Sequence, residues 1–444
     1  MRKCAAVLLE LLPAFADAYV MFTFYDKENI MDRRSFITTA GAGALAASPL
    51  GSAFAKAVSL RQKTGRISRM RKNTAIAMWD FTWILRHHPK GAFWDWDAVL
   101  EGLAERGYDS IRMDCLPQYV AADTDGRLQE EFRCSGNPSI LWGCDAVEGM
   151  TIRPREALLE FLPKCKKYGI KVGLSAWFMR HSPDRTAIFS EEGGLLRAWK
   201  ETLAFLDKHH LLDDNIMYVD LLNEYPDHHG YDWLKNERNK RSDLKQFKLN
   251  NPNAHMPDDV NPNDKSRNNP LEKAFYNGFV NDLIRDVRAS FPQCDYFASI
   301  SSSYGHVDLT HFAAIDRHLW FQMHWTGLYL KKGEDPKESY SRLLAYWKEN
   351  KDKEIAWMDG KIAEVSRHAR DHGVVCGNTE GWGSVGWSYD VGWEFIRESA
   401  EICVDLCLKH DNYRFICTSN FTHPHFGIWD DIKWHQKMTA KIKG

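Results

Sequence analysis

Short apolar runs alternate with amphipathic stretches along most of this chain. The runs are Ala75–Trp79, Ser110–Asp114, Lys171–Ala176, Ile216–Leu222, Tyr296–Ile300, Leu319–His324, Val374–Asn378 and Phe415–Ser419, each of strand length and bounded by turn or polar residues. Between them apolar positions recur at helical spacing, as in Trp96–Arg106, Arg155–Tyr168 and Val391–His410, with a last such segment at Asp431–Lys443. Gly107 and Gly169 follow the first two, and glycine just past a periodic segment is a helix stop. Alternating strand and helix predict parallel strands joined by crossover helices. Eight such units predict an α/β fold, a (β/α)8 barrel of the triosephosphate isomerase (TIM) kind with insertions.

Two connections are long. Leu116–Ile152 follows the second run, and Tyr225–Pro270 follows the fourth; the latter is polar, rich in Asn, Asp and Pro, and has little periodicity, so it reads as a surface loop. Connections that follow strands lie on the catalytic face of such a barrel, which puts both beside any active site.

The amino terminus reads as an address. From Met31 it runs Asp32-Arg33-Arg34-Ser35-Phe36-Ile37, then a weakly apolar small-residue stretch Thr38–Gly51, then Ala53-Phe54-Ala55, a small-x-small cleavage pattern. This resembles a twin-arginine export signal, which implies a periplasmic or secreted protein whose effective start is Met31. The expected divisions are an extension and signal over 1–55, a basic linker over 56–72 and a barrel domain over 73–444. Ala5–Leu12 falls far short of the roughly 20 residues a membrane span needs, because Pro13, Asp17 and Asp26 interrupt it. Nine cysteines follow position 55, so at least one thiol stays free. Cys134 and Cys144 share a loop and are a candidate pair in an oxidising compartment. Cys403 and Cys407, four apart on a helix, read as buried small apolar side chains, and no spacing resembles a zinc site.

Aromatic residues make up 13% of the chain, with 17 Trp. Flat rings in that number serve sugar faces as well as a core, which directs attention to Trp79, Trp83, Trp177, Trp325, Trp382 and Trp387, at or just past predicted strand ends. The formal charge is −2, and no run of Lys and Arg interleaved with aromatics tracks a phosphate backbone, so nucleic acid is not an expected partner.

Two predicted strands lead straight into a glutamate. The fourth ends in Asn223-Glu224-Tyr225-Pro226 and the seventh in Asn378-Thr379-Glu380-Gly381-Trp382-Gly383. A second Asn-Glu pair, Asn236-Glu237, lies in the polar loop and reads as solvated surface. Two carboxylates presented from two strand ends at one barrel mouth suit glycosidic bond cleavage. Arg112 and Asp114 alternate with Ile111 and Met113 and so share the inward face of the second strand; the plainer alternative is an ion pair holding the barrel's upper layer. A guanidinium beside a carboxylate lowers its pKa, while partial burial beside a second carboxylate keeps an acid protonated. Asp80, after Trp79, is placed to bond a sugar at the cleft floor.

Glutamates after strands four and seven, the first preceded by Asn, resemble the arrangement of clan A glycoside hydrolases. The segments around them are similar to cellulase-like proteins related to glycoside hydrolase family 5, over most of Ala75 to Trp429. The resemblance implies Glu224 as general acid/base and Glu380 as nucleophile of a retaining hydrolase. It also implies Asn223 on the sugar hydroxyl beside the reacting carbon, Arg112 in support of the nucleophile, and His324, in Gln322-Met323-His324-Trp325, as the sixth-strand histidine. Asp114, Trp177, Trp325, Trp382 and Asn420 complete the set of residues expected around a β-linked oligo- or polysaccharide, with no cofactor and no metal. Two departures bear on substrate class: Thr418-Ser419-Asn420-Phe421 stands where many relatives place tryptophan, and Trp325-Thr326 replaces a His-x-Tyr continuation.

Two other classes fit parts of the chain. A noncatalytic sugar-binding barrel keeps the fold but has no use for two carboxylates at reaction spacing. A metal-dependent barrel hydrolase is prompted by His423-Pro424-His425 after the last strand. Amidohydrolase-type barrels carry a similar pair on the first strand, where this chain has Met78-Trp79-Asp80.

Overall fold

A computed structural model of the chain describes residues 66–67, 69–134, 150–227, 230–250, 270–301, 307–321, 335–383, 392–419 and 421–444. The expected signal and the pairing of Cys134 with Cys144 fall wholly or partly outside them.

Eight strands form one sheet: β1 Thr74–Met78, β2 Ser110–Asp114, β3 Lys171–Ser175, β4 Ile216–Asp220, β5 Tyr296–Phe297, β6 Ala314–Asp316, β7 Val375–Asn378 and β8 Tyr413–Cys417. Their order is β5-β4-β3-β2-β1-β8-β7-β6, with every pairing parallel. The two edges meet through Ile300, whose N–H donates to Asp316 O at 2.7 Å and whose carbonyl accepts from His318 N–H at 2.9 Å. That contact completes the ring, so the fold is a (β/α)8 TIM barrel.

Helices α1 Trp96–Glu105, α2 Pro154–Lys167, α3 Gly194–Lys208, α4 Pro270–Ser290, α5 Pro336–His372, α6 Glu394–Leu408 and α7 Ile432–Lys443 surround it. Their ends obey local chemistry. Asp95 accepts the N–H of Ala98 at the start of α1, Asp335 that of Lys337 at the start of α5, and Asp431 that of Trp434 at the start of α7, each satisfying an orphan donor. Gly107, Gly169 and Gly373 take left-handed φ just past α1, α2 and α5, a conformation a Cβ would strain.

Inside the ring, two glycines make room for aromatic rings. A Cβ on Gly173 would lie 2.2 Å from the Tyr218 ring, and one on Gly377 would lie 2.1 Å from that of Phe415. Tyr218, Phe297 and Phe415 pack with centroids 4.7 to 6.1 Å apart and fill the barrel below a polar layer of Arg112, Asp220 and Asp316, all fully buried.

Four expectations are corrected. The sixth strand is Ala314–Asp316, not Leu319–His324: the stronger apolar run at Leu319–Phe321 packs as irregular backbone against Trp382, while the true strand hides in three residues before charged Arg317. Between β5 and β6 no helix occurs among the described residues. The polar connection after β4 contains helices at Asp232–Lys240 and Ser242–Asn250, which a mean of polar residues conceals. Part of the expected linker is packed into the barrel: Ile67 is fully buried, its N–H donates to Asp295 Oδ2 at 2.7 Å, and Arg66 bonds the carbonyl of Ile216 at 2.7 Å. Cys403 and Cys407 lie buried on α6, as expected.

Candidate active site

Each βα connection leaves the barrel at the same end, and the backbone there is strained. Leu116, Phe178, Glu224, Trp382 and Phe421 all have positive φ and lie two to four residues past a strand end. Left-handed backbone at non-glycine positions costs on the order of 1–3 kcal/mol each and persists where the surroundings enforce it. At Glu224, with φ of 43°, the backbone N–H donates to Ser299 Oγ at 3.1 Å, and this turn brings the carboxylate back over the ring.

Glu224 and Glu380 therefore meet. Their carboxylates and the imidazole of His318 each offer an atom within 4.8 Å of the other two. Nδ1 of His318 stands 3.2 Å from Glu224 Oε1 and 3.7 Å from Glu380 Oε2. Trp320 donates its indole N–H to Glu224 Oε1 at 3.1 Å. Below them Arg112 fans out as a fork: Nη1 to Glu380 Oε2 at 2.9 Å, Nη2 to Asp220 Oδ2 at 2.8 Å, to Asn223 Oδ1 at 2.6 Å and to Ser299 Oγ at 3.1 Å. The Trp177 ring covers its guanidinium carbon at 4.3 Å. A planar guanidinium with five donors is the side chain that can hold so many acceptors at once.

The electrostatics differ from the simple expectation. Arg112 touches Glu380, yet burial, aided by the charge of Glu224, outweighs Arg112 and His318 and lifts the Glu380 carboxyl to about 7. Burial also opposes charge on His318, but Asp316 with Glu224 and Glu380 overrides it and raises the imidazole to about 10. Asp316 is held below the usual carboxylate range despite burial, chiefly by His318, and accepts the N–H of Thr379 at 3.0 Å and its hydroxyl at 2.5 Å. At neutral pH the site thus holds two cations, Arg112 and His318, under a pair of glutamates.

The other expected residues divide. Asn223, expected on a sugar hydroxyl, accepts from Arg112 Nη2 through its Oδ1 at 2.6 Å. Asp114 accepts the N–H of Leu116 at 2.7 Å and of Trp177 at 3.3 Å, with burial raising it to about 7; it shapes the turns after β2 and β3 and makes no ion pair with Arg112. Asp80 is buried and accepts the N–H of Thr82 at 2.7 Å, capping the turn after β1. Trp382, with Trp79 and Trp83, is fully buried, its indole donating to Cys417 O at 3.2 Å; these three rings are core, because each N–H finds a buried carbonyl. His324, Trp325, Trp387 and Asn420 lie outside the described residues. His423 is fully buried against Phe93, Phe421 and Phe426. Among the described residues no third ligand joins it and His425 in a metal-type cluster.

Sequence reasoning missed Asp220, Ser299, His318 and Trp320. A signal existed for the last two: His318-Leu319-Trp320 has the spacing of the sought His-x-Tyr, with an indole N–H where a hydroxyl was looked for. Glu224, His318 and Glu380 have the makings of a metal site, but the proton His318 holds so firmly already supplies a cation there, which a divalent ion would have to displace.

Residues 76–443 match the family described as "Cellulase-like: Sugar-binding cellulase-like". No protein of curated function matches. The fold is similar to that of a protein from Parabacteroides distasonis ATCC 8503 described as a candidate glycoside hydrolase, at 24% identity and a TM-score of 0.66, covering 84% of this chain and 94% of that one. An endo-1,4-β-D-mannanase from Thermotoga petrophila RKU-1 aligns at 12% identity and a TM-score of 0.43, covering 78% and 87%. A hyperthermophilic endo-β-1,4-glucanase aligns at 12% and 0.46, covering 87% and 99%.

Proposed function

The chain belongs to the sugar-binding cellulase-like family, and from that footing we propose that it is a glycosidase that hydrolyses β-linked oligo- or polysaccharides with retention of anomeric configuration. One observation carries this reading: carboxylate oxygens of Glu224 and Glu380, in the connections that follow β4 and β7, lie within 4.8 Å of each other. Retaining chemistry uses carboxyls about 5 to 5.5 Å apart, whereas inverting chemistry needs about 6.5 to 9.5 Å to admit a water.

In the proposed cycle Glu380, ionised, attacks the anomeric carbon while Glu224 gives its proton to the departing glycosidic oxygen. The C–O bond breaks, and a glycosyl ester on Glu380 remains. Water then attacks the same carbon, Glu224 takes the proton from it, and the ester bond breaks to return Glu380 as carboxylate. Arg112 and His318 supply fixed positive charge beneath the carboxylates, and Asn223, anchored by Arg112, faces the hydroxyl next to the reacting carbon. Fixed charge of this kind needs no reorganisation as the transition state forms. We also propose that the chain is exported by the twin-arginine route and cleaved after Ala55; periplasmic material beginning at Lys56 by terminal sequencing is the expected finding.

The direct check is a panel of β-linked gluco- and manno-oligosaccharides followed by proton NMR. Early product in the β-configuration supports the proposal. First-formed α-product, or no turnover of any β-linked substrate, rejects it.

A further inference from the structure

We propose that the rim of the barrel mouth between β8 and β1 binds an acidic group carried by the substrate chain, of the uronate carboxylate class, through Arg86, His423 and His425. This rests on the reading above and adds that the β-linked glycan is an anionic one. The three residues lie in the connections that follow β1 and β8. Those strands are neighbours, and their connections leave on the face where Glu224 and Glu380 emerge. The glutamates follow β4 and β7, so the acidic unit is a neighbour of the one whose bond is cut.

The two connections are built as one wall. Thr422 donates its N–H to Met78 O at 3.0 Å, and its carbonyl accepts the Trp79 indole N–H at 2.7 Å. Phe93 packs on His423 at 5.3 Å, and its N–H returns to Arg86 O at 3.3 Å. A Cβ on Gly91 would fall 2.0 Å from that same oxygen. Phe426 N–H returns to His423 O at 3.1 Å, and the rings of His423 and His425 lie 6.3 Å apart at 20°. Arg86 and His425 are half-buried, and His423 is fully buried.

Charge singles this wall out. It carries Arg86, His87, His88, Lys90, His423 and His425, while its acids are otherwise engaged. Asp80 accepts the N–H of Thr82, Asp95 and Asp431 cap α1 and α7, and Asp430 acts on Arg106. Neither ring nitrogen of His423 meets a hydrogen-bond partner. The charges that act on it, His425 and Arg86, are both basic, and with burial they hold its imidazole well below the usual range. A buried polar group without a partner costs stability and calls for a reason, and converging basic groups repel until an anion joins them. A carboxylate answers both needs: it offers lone pairs to a guanidinium fork and to an imidazole N–H, and its charge cancels the repulsion.

The test is calorimetric titration of Glu380→Gln with β-linked oligosaccharides of equal length, one set neutral and one carrying glucuronate units, alongside free glucuronate and sulfate. The acidic chains are expected to bind at least about tenfold tighter than the neutral ones, with a preference that shrinks as salt rises, and the free anions to bind far more weakly. Arg86→Gln and His423→Leu should each remove most of that preference and leave affinity for neutral chains unchanged. If His423→Leu does not fold, Arg86→Gln, at a half-buried side chain, decides alone. Equal affinity for the two sets, binding of neither, or a preference that survives the substitutions overturns the proposal. Free glucuronate or sulfate binding as tightly as the acidic chain assigns the wall to a free anion and overturns it as well. Turnover of dinitrophenyl glycosides by the parent protein keeps the two claims apart: turnover without acid preference removes only the acidic-group site, and acid-chain binding without turnover removes only the hydrolase.

Discussion

Trp320 donates its indole N–H to Oε1 of Glu224 at 3.1 Å. The same oxygen faces Nδ1 of His318, so its lone pairs are engaged by two donors. A proton on this carboxyl then belongs on Oε2, and in the proposed cycle Trp320 acts as a positioning residue for the oxygen that delivers it. Trp320→Phe removes a donor to the ionised form and so favours the protonated one. The expected result is a basic limb of the kcat/KM profile displaced to higher pH; a lower rate with an unmoved profile shows a packing role only.

Glu380 gives the opposite limb. With its carboxyl raised to about 7, Glu380 gains its charge only as pH rises through neutrality, so the proposed role as nucleophile predicts that kcat/KM climbs with pH through about 7 before the basic limb is reached. Stability runs the other way. The raised pKa favours folding fully below the ordinary value of 4.5 and loses that contribution as pH rises to about 7. Glu380→Gln should therefore match the parent near pH 4 and exceed it at pH 8 by on the order of 1–3 kcal/mol, read from urea denaturation at the two pH values.

Arg112 joins the layer together. Arg112→Met strands Asp220 and Glu380 without the cation that pairs them, and breaking a buried pair from one side costs about 3–5 kcal/mol. Arg112→Lys keeps the charge but not the fork. It should fold better than Arg112→Met and still lose most activity, a split visible by denaturation and kinetics on the same preparations.

Glu224→Gln tests proton donation. Loss should be about 10²–10⁴-fold on natural glycosides and much smaller on dinitrophenyl glycosides, whose leaving groups need no proton. Equal loss on both contradicts the acid role.

The ring of strands was legible because its apolar runs are short, regularly spaced and separated by periodic helices with glycine stops. The two glutamates stood out for a related reason: each follows a buried strand within two to four residues, on the face where the connections leave the ring. Strand six was not legible, since Ala314–Asp316 carries only three residues and Leu319–Phe321 offers a stronger apolar signal that backbone pairing with Trp382 diverts. That displacement took the histidine from 318 to 324. The tryptophans misled differently. Position past a strand end says nothing about whether an indole N–H finds a buried carbonyl, and for Trp79, Trp83 and Trp382 it does. The charge of Glu380 was also beyond sequence, because an arginine neighbour was readable and the depth of burial was not.

The most direct test is mass spectrometry of the protein after brief exposure to 2,4-dinitrophenyl 2-deoxy-2-fluoro-β-glycosides of the gluco and manno series. The expected result is a single fluoroglycosyl adduct on the peptide carrying Glu380, formed with release of one equivalent of dinitrophenol. Turnover without an adduct, or an adduct on any other carboxylate, contradicts it.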